Sequence, residues 1–378
     1  MEAQTAKNLT GLAALIATSL TANAQYTYTT LDDPLAATNG AVYPYGTVVT
    51  GISGTNIVGY YADTNGTTHG FVCNGIGWTT LDDPLAEVYG DDPGVLQTYA
   101  QGISGTNIVG YYFAGSHMGG FYHGFVFDGS AWADFAEPQN GVVPFTYAQG
   151  IDATNIVGYY LDGTFANHGF LYNGSTSAAL DAPLAGSGNS QGTFPSGISG
   201  TNIIGHYLDT SNYVHGFLFD GSTWITLHYP SGVGDAYPTA IDGTNIMGSY
   251  TDTNGVGHGF LYNGSTWLTL EGLPGEADGI SGVNIVGTYY DSNNVAHGFL
   301  ATPIPQLTIT PSGNALKLSW PSWANNYVLQ QCFDLTSGNW VPAPEPPMLN
   351  ASSGQYEVTL NPVFVLQNSR YNFRLKQE

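Results

Sequence analysis

Positive charge is almost absent from this sequence. Between residues 8 and 316 there is neither lysine nor arginine, and the chain carries 28 acidic against 5 basic residues, a formal net charge of -23. Nucleic acids and anionic membranes are bound through basic side chains that neutralise phosphates, so both partner classes are excluded. A fold between residues 8 and 316 must rest on apolar burial and hydrogen bonds, because no Lys/Arg–carboxylate ion pair can form there.

Cysteines and long apolar stretches are also scarce. The two cysteines, Cys73 and Cys332, do not make a disulfide framework, and no segment is apolar over enough residues to span a bilayer comfortably. Residues 1–24 resemble an export signal, with Lys7 in front of an apolar stretch and an Ala-x-Ala site that ends at Ala24. We expect cleavage after Ala24 and a secreted or cell-surface protein; an uncleaved N-terminal anchor is the alternative.

Apolar and aromatic residues, in contrast, are abundant at 42% and 13% of the chain, which excludes a disordered protein. They are organised in a unit that contains G-I-[SD]-x-T-N-I-V-G-Y-Y followed by His-Gly-Phe, and this unit occurs six times. Its openings are Gly51, Gly102, Gly150, Gly197, Ala240 and Gly279. Its triplets begin at His69, His123, His168, His215, His258 and His297.

Each repeat is predicted to form four short strands separated by tight polar turns, which is typical of a β-propeller blade. The sixth repeat lacks its fourth strand, whereas residues 26–34 match that strand in the first repeat. We therefore predict an all-β protein, a six-bladed β-propeller closed by the N-terminal strand over residues 25–301. An open array with separately capped ends is the alternative.

The His-Gly-Phe triplets and the Gly-Tyr-Tyr segments before them resemble the bacterial extracellular HAF-type repeat family, over residues 26–301. Here the middle residue of the triplet is Gly where that family usually has Ala. The resemblance implies an exported protein and specifies no chemistry.

The composition changes after the last repeat, and four of the five basic residues follow it. Residues 302–306 read as a linker. Residues 307–378 alternate apolar and polar positions at strand length, which predicts a small immunoglobulin-like or fibronectin-III-like β-sandwich.

The six triplet histidines invite a metal or catalytic interpretation. Identical placement in every repeat favours a structural one, in which each imidazole bonds the Ser or Asp that follows Gly-Ile. Those partners are Ser53, Ser104, Asp152, Ser199, Asp242 and Ser281. Two Asp-Thr-Asn-Gly segments, at residues 63–66 and 252–255, resemble the start of a calcium loop, but hairpin-turn chemistry explains them as well. We expect no cofactor, with calcium as the less favoured alternative.

Connections between repeats differ in length and composition, and this variable face is where propellers usually carry function. Aromatic residues stand at the start of the predicted innermost strands, and acidic residues crowd one connection. The candidate ligand-binding residues are Tyr99, Tyr147, Phe194, Tyr237, Asp82, Asp83, Glu87, Asp91 and Asp92. Aromatic faces beside carboxylates suit sugar rings or a basic protein segment. Packing of the rings between blades, and a merely solvated acidic loop, are the alternatives.

These features favour a secreted, monomeric, non-catalytic binding or adhesion scaffold that recognises a neutral glycan or a protein. One alternative is a secreted carbohydrate-active enzyme that uses paired carboxylates at the propeller mouth. Another is a purely structural surface or matrix component.

Overall fold

The computed structural model describes residues 26–38, 46–75, 77–86, 97–114, 120–135, 145–312, 315–332, 335, 337–360 and 372–377. All regular elements in these ranges are β-strands, which confirms the all-β prediction. In the same ranges, no helix has the length and apolarity to cross a membrane. Of the predictions above, the export signal and Glu87, Asp91 and Asp92 lie outside the described residues. The chain divides into two compact units, Tyr26–Thr302 and a second that contains Pro303–Glu378.

The first unit consists of an initial strand and six repeats of antiparallel strands. The initial strand is β1 (Tyr26–Leu31). The first repeat contains β2 (Gly46–Ser53), β3 (Asn56–Ala62), β4 (Thr68–Cys73) and β5 (Trp78–Leu81). The second contains β6 (Thr98–Ser104), β7 (Asn107–Ala114), β8 (Phe121–Phe127) and β9 (Trp132–Phe135). The third contains β10 (Thr146–Asp152), β11 (Asn155–Leu161), β12 (Asn167–Tyr172) and β13 (Ser177–Ala179).

The later repeats follow the same order. The fourth contains β14 (Gly192–Ser199), β15 (Asn202–Leu208), β16 (Val214–Phe219) and β17 (Trp224–Thr226). The fifth contains β18 (Tyr237–Asp242), β19 (Asn245–Thr251), β20 (Gly257–Tyr262) and β21 (Trp267–Leu270). The sixth contains β22 (Glu276–Ser281), β23 (Asn284–Tyr290) and β24 (Ala296–Pro303), and β1 pairs with β24.

Each apolar core of the first unit combines residues of one repeat with residues of the repeat next to it. Phe125 and Ile108 of the second repeat share a core with Val58 of the first, and equivalent cores follow between each later pair. The sixth core joins Phe71 of the first repeat to Val286 of the last. The triplet phenylalanines are all fully buried: Phe71, Phe125, Phe170, Phe217, Phe260 and Phe299. Burial of each contributes about 1.5–3 kcal/mol, so apolar contact stabilises a segment without Lys/Arg ion pairs.

The first strands of consecutive repeats approach each other closely at the repeat-opening glycines. A Cβ on Gly102 would lie 2.9 Å from the carbonyl oxygen of Gln149, and one on Gly279 would lie 3.0 Å from the Cα of Gly51. Each first strand also carries a β-bulge immediately before its opening residue. Glycine is needed at Gly102 and Gly279 because the neighbouring backbone occupies the space of a side chain, whereas the fifth opening, Ala240, accommodates a methyl group.

A belt of hydrogen bonds links the first hairpin of each repeat to that of the next. The Ser or Asp two residues after the repeat opening accepts a bond from a backbone N–H in the first hairpin turn of the next repeat; Ser53, for example, accepts from Gly105. Ser281 of the sixth repeat accepts from Gly54 of the first. The six acceptors are Ser53, Ser104, Asp152, Ser199, Asp242 and Ser281. The predicted pairing of these side chains with the triplet histidines is therefore wrong, since the turn amides need acceptors at this point.

The initial strand lies along the sixth repeat. The Thr27 hydroxyl donates to the carbonyl of Thr302 at 3.2 Å, and Leu31 packs on the core that joins the sixth and first repeats. A parallel bridge between Gly46 and Ala296 also connects the first-repeat sheet to the sixth-repeat sheet. Among the described strands, no single sheet closes on itself.

The second unit contains two small sheets around one core. The larger sheet consists of β25 (Thr308–Ser312), β26 (Ala315–Pro321), β29 (Met348–Asn350) and β30 (Gln355–Leu360), and the smaller of β27 (Tyr327–Cys332), β28 (Val341–Pro342) and β31 (Asn372–Gln377). Trp320 and Val358 of the first sheet share a buried core with Leu329 and Phe373 of the second. Strand β24 ends at Pro303, two residues inside the predicted linker.

Candidate functional site

Eight aromatic rings form a continuous chain across five repeats, which we call the aromatic arc. The predicted residues Tyr99, Tyr147 and Phe194 each pair in register with a second ring on the neighbouring strand. Sequence reasoning missed these second rings, although they occupy the first aromatic position of the Gly-Tyr-Tyr motif or its His equivalent. In order, the arc is Tyr60, Tyr99, Tyr111, Tyr147, Tyr159, Phe194, His206 and Tyr237.

Contacts along the arc alternate between two geometries. Within a repeat the rings stack, with centroids 4.9 Å apart for Tyr99–Tyr111 and 4.7 Å for Phe194–His206. Between repeats they mostly meet edge to face, at 5.0 Å for Tyr111–Tyr147. The rings thus pack between repeats, as one alternative expected. Tyr237 is nevertheless 40% exposed and the other seven residues are half-buried, so part of the arc faces solvent.

The second repeat widens the arc. Tyr122 contacts Tyr99, Tyr111 and Tyr147, with centroids 5.4 to 6.4 Å apart. Its ring also contacts Phe113 and Phe145, and its hydroxyl donates to Gln97 at 3.0 Å. The arc with these neighbours presents phenol hydroxyls and ring faces on half-buried side chains.

The phenols of the arc are neutral at pH 7 because their ordinary pKa is about 10. Burial raises the pKa of Tyr99 and of Tyr159 further, to about 12, with neighbouring phenols adding to the effect. The pKa values of Tyr111 and Tyr147 are raised for the same reasons. Burial also lowers the pKa of His206 to about 4, so this imidazole is uncharged at neutral pH. The arc therefore offers neutral hydroxyl donors and aromatic faces, without a cation that could hold an anionic ligand.

The aromatic sequence ends in the sixth repeat, where Glu276 occupies the register position that Tyr99 has in the second. Glu276 is exposed, and its charge contributes to the raised pKa of Tyr237. Two residues further along, burial raises the pKa of Asp278 to about 8, and Glu276 adds to the shift. This acidic pair, which sequence reasoning missed, lies on the same strand at the end of the arc. The register of the repeats was the signal that could have found it.

The triplet histidines lie apart from the arc, each stacked on the second tyrosine of its Gly-Tyr-Tyr motif or the equivalent tyrosine. Ring centroids are 4.9 to 5.4 Å apart in all six repeats. Aspartates bond five of these imidazoles, where a Ser or Asp of the first hairpin was predicted. The pairs are His69–Asp82, His168–Asp181, His215–Asp235, His258–Asp252 and His297–Asp32.

The two described acids of the predicted acidic loop serve to anchor that loop. Asp82 binds His69, with Nδ1 and Oδ1 2.8 Å apart. Asp83 is 3% exposed, and its carboxylate accepts the backbone N–H of Leu85 at 2.8 Å. Ring contacts bring the predicted aromatic residues together, and neither Asp82 nor Asp83 takes part in these contacts.

The Asp-Thr-Asn-Gly segments are turns. One carboxylate oxygen of Asp63 accepts backbone N–H groups of Asn65 and Thr67, and Asp252 does the same with Asn254 and Val256. Within the described ranges, no group of three or more His, Cys, Asp or Glu side chains is arranged to hold a metal ion.

No family model and no curated protein sequence matches the chain. Among solved structures, it is similar to the fucose-binding six-bladed β-propeller lectin of Aleuria aurantia, with a TM-score of 0.37 and 14% identity, over 65% of this chain and 77% of the lectin. The SapL1 lectin, solved with α-methyl fucoside, has a TM-score of 0.37 and 20% identity, over 60% of this chain and 79% of its own. The β-propeller domain of the Trilobed protease from Pyrococcus furiosus has a TM-score of 0.39 and 8% identity, over 72% of this chain and 91% of its own.

Proposed function

We propose that this chain is an exported, non-catalytic binding protein whose aromatic arc recognises a neutral glycan. The observation that carries the proposal is the arc itself, a run of eight contacting rings that remain partly open to solvent. A globular core does not require so many partly exposed aromatic residues along one line. Aromatic side chains supply rigid contact area at low entropic cost, and phenol hydroxyls add directional hydrogen bonds.

The chemistry of the arc selects among ligands. Sugar rings present C–H faces that stack on aromatic rings, and hydroxyls that pair with neutral phenols. Phosphorylated, sulfated or carboxylated ligands are disfavoured, because residues 8–316 hold no Lys or Arg and the end of the arc carries Glu276. Between the two ligand classes expected from sequence, the neutrality of the phenols favours the glycan over a basic protein segment.

The proposal includes the ring architecture that presents the arc. Six repeats would form six blades around one axis, with β1 as the outer strand of the last blade. Two sets of contacts support this arrangement. The series of apolar cores and the belt of hydrogen bonds each include a member that joins the sixth repeat to the first. In such a ring the register-matched residues Tyr99, Tyr147, Phe194 and Tyr237 would surround one end of the central channel.

The test is binding of the full chain to a microarray of neutral and acidic glycans, followed by calorimetry on the strongest neutral ligand. Tyr147→Ala should weaken binding about tenfold or more, because a well-packed aromatic contact contributes about 1.4 kcal/mol or more. Tyr147→Phe should retain most of the affinity. Tyr213→Ala is the matched control, since Tyr213 is exposed and lies outside the arc.

Thermal unfolding of each variant separates a lost contact from a lost fold. Absence of neutral-glycan binding by the folded wild-type chain overturns the proposal. Equal affinity of Tyr147→Ala and wild type would mean that the ligand binds outside the aromatic arc, and would also contradict the proposal.

Hydrolysis of a glycosidic bond is a second candidate, favoured by the position of Glu276 and Asp278 at the end of the arc. Asp278 holds a proton at neutral pH because burial raises its pKa to about 8, and a protonated acid beside a second carboxylate is what glycosidases use. Release of reducing ends from a neutral polysaccharide, abolished by Asp278→Asn, would favour hydrolysis. Binding without any product release would leave the non-catalytic function.

A further inference from the structure

We propose that the triplet histidines of the first, third and fourth repeats are imidazolium cations. Each cation links a segment that leads into the arc to a neighbouring turn, and its deprotonation weakens ligand binding by the arc. The regulatory part of this inference rests on the proposed function. The protonation state of the histidines is independent of it and can be tested without a ligand.

His215 shows the geometry most clearly. Its Nε2 lies 3.2 Å from Oδ2 of Asp209, and its Nδ1 is bonded to Asp235. A neutral imidazole has one N–H, so one of the two carboxylates would face a lone pair. Protonation of both nitrogens turns both contacts into charge-assisted hydrogen bonds.

The third repeat has the same arrangement at His168. Its Nδ1 lies 2.9 Å from Oδ2 of Asp181, and its Nε2 lies 3.5 Å from Oδ2 of Asp162. In the first repeat, His69 lies 2.8 Å from Asp82 and 3.8 Å from Asp63. In each repeat, one carboxylate comes from the turn between the second and third strands, and the other from the connection to the next repeat.

Other groups around these imidazoles complete the electrostatic environment. Tyrosine rings stack on all three, namely Tyr61, Tyr160 and Tyr207. The carboxylate of Asp33 also acts on His69. His228 shares Asp235 with His215 and is largely exposed. The described segment around the three sites contains no Lys or Arg, so a histidine is its only available cation.

The bonded aspartates are connected to arc residues, either by chain proximity or through one hydrogen bond of the residue that follows the aspartate. Asp235 precedes Tyr237 by two positions. After Asp181, the backbone N–H of Ala182 donates to Thr193, the residue before Phe194, at 2.9 Å. After Asp82, the N–H of Asp83 donates to Thr98, the residue before Tyr99, at 3.1 Å. Loss of the imidazolium would thus loosen the segments that position three rings of the arc.

The opposing effects of burial and of the neighbouring aspartates on the histidine pKa values also favour the imidazolium form. Burial lowers the pKa of His69, His168 and His215, but the two aspartates beside each outweigh it, so the net pKa is raised above 6.5. A raised pKa in the folded state means that the stabilisation is complete below about pH 6.5 and is lost as the pH rises through the folded value. The contacts between these histidines and their aspartates are therefore charge-assisted in mildly acidic solution and weakened in alkaline solution.

The first test is NMR of the full chain with ¹⁵N-labelled histidine, without ligand. We expect His168 and His215 to have both ring nitrogens protonated at pH 6.5, whereas His206 is neutral. Asp181→Asn should lower the midpoint of His168 titration. Asp220→Asn is the matched control, because Asp220 caps a turn where the third and fifth repeats have Asn173 and Asn263. Neutral tautomers of His168 and His215 at pH 6.5 would overturn the inference.

The second test reads the neutral-glycan microarray at pH 6 and at pH 8.5. Several-fold stronger binding at pH 6, reduced in Asp181→Asn and retained in Asp220→Asn, supports the regulatory step. Equal binding at both pH values, with the histidines titrating as expected, overturns regulation and leaves the proposed function intact. No binding at either pH defeats the proposed function, while the NMR result still decides the charge state.

Discussion

The ring of Tyr28 in the initial strand meets the ring of Phe299 in the sixth repeat edge to face, with centroids 6.5 Å apart. These residues are separated by nearly the whole of the repeat segment. Phe299 is buried in the core between the fifth and sixth repeats, and Tyr26 packs against the same core. The initial strand therefore covers apolar surface that the sixth repeat would otherwise expose.

This contact predicts that the initial strand stabilises the far end of the repeat segment. A chain that starts at residue 38 should lose amide-exchange protection in β24 and unfold at lower urea concentration than a chain that starts at residue 25. The longer chain is the control, because it retains the strand. Unchanged protection of β24 in the shorter chain would contradict both the role of the strand and the proposed ring closure.

Strand positions were predictable from the sequence because each repeat combines period-two alternation with fixed turn residues. The strands on residues 56–62 and 68–73 are where the pattern of the first repeat places them. The aromatic positions Tyr99 and Tyr147 were predictable too, from their constant offset to the repeat opening. The local pattern recurs six times, so the strand positions inferred from one repeat can be compared with those inferred from the other five.

Partners across repeats were not predictable in the same way. The Ser53 hydroxyl accepts from the backbone of the second repeat, and His69 binds Asp82 from a connecting segment. A sequence repeat shows that two residues occur together, but it does not show which copy of each they contact. Glu276 was missed for a related reason, because its importance follows from replacing an aromatic position, and only the strand register reveals that. Asp278 was missed because its burial, and not a sequence pattern, distinguishes it.

Close approach of the first strands predicts that a methyl group at a repeat opening is destabilising. Gly102→Ala would place a Cβ 2.9 Å from the Gln149 carbonyl oxygen and 3.1 Å from the Gly150 Cα, which forces the strands apart. We expect a loss of about 1–3 kcal/mol in the free energy of unfolding, measured by urea denaturation. Gly77→Ala is the control, because a Cβ there has no heavy atom within 4 Å. A Gly102→Ala variant as stable as Gly77→Ala would contradict the packing described.

The cores between repeats predict a large cost for shortening a triplet phenylalanine. Phe170 is fully buried and belongs to one core with Val109 of the preceding repeat. Phe170→Ala should lower the free energy of unfolding by about 3–5 kcal/mol, from lost burial and the cavity left behind. Phe165 is 55% exposed on a turn of the same repeat, so Phe165→Ala should change stability by less than about 0.5 kcal/mol. Similar losses for both variants would show that the core is not where the stability resides.

Asp278 predicts a dependence of stability on pH that runs opposite to that of an ordinary surface carboxylate. Burial raises its folded-state pKa to about 8, above the usual value of 3.8, so between these values the folded chain holds a proton that the unfolded chain has released. The contribution of Asp278 to stability therefore falls as the pH rises from about 4 to about 8.

Replacement of Asp278 by Asn removes the charge that is costly to bury. Asp278→Asn should become more stable relative to wild type as the pH is raised from 5 to 9, measured by urea denaturation at each pH. Asp128→Asn is the control, because Asp128 is exposed and its carboxylate caps a turn at residues 130 and 131. A stability difference between Asp278→Asn and wild type that is constant over this range would mean that Asp278 is ionised throughout, and would also remove the protonated acid that hydrolysis requires.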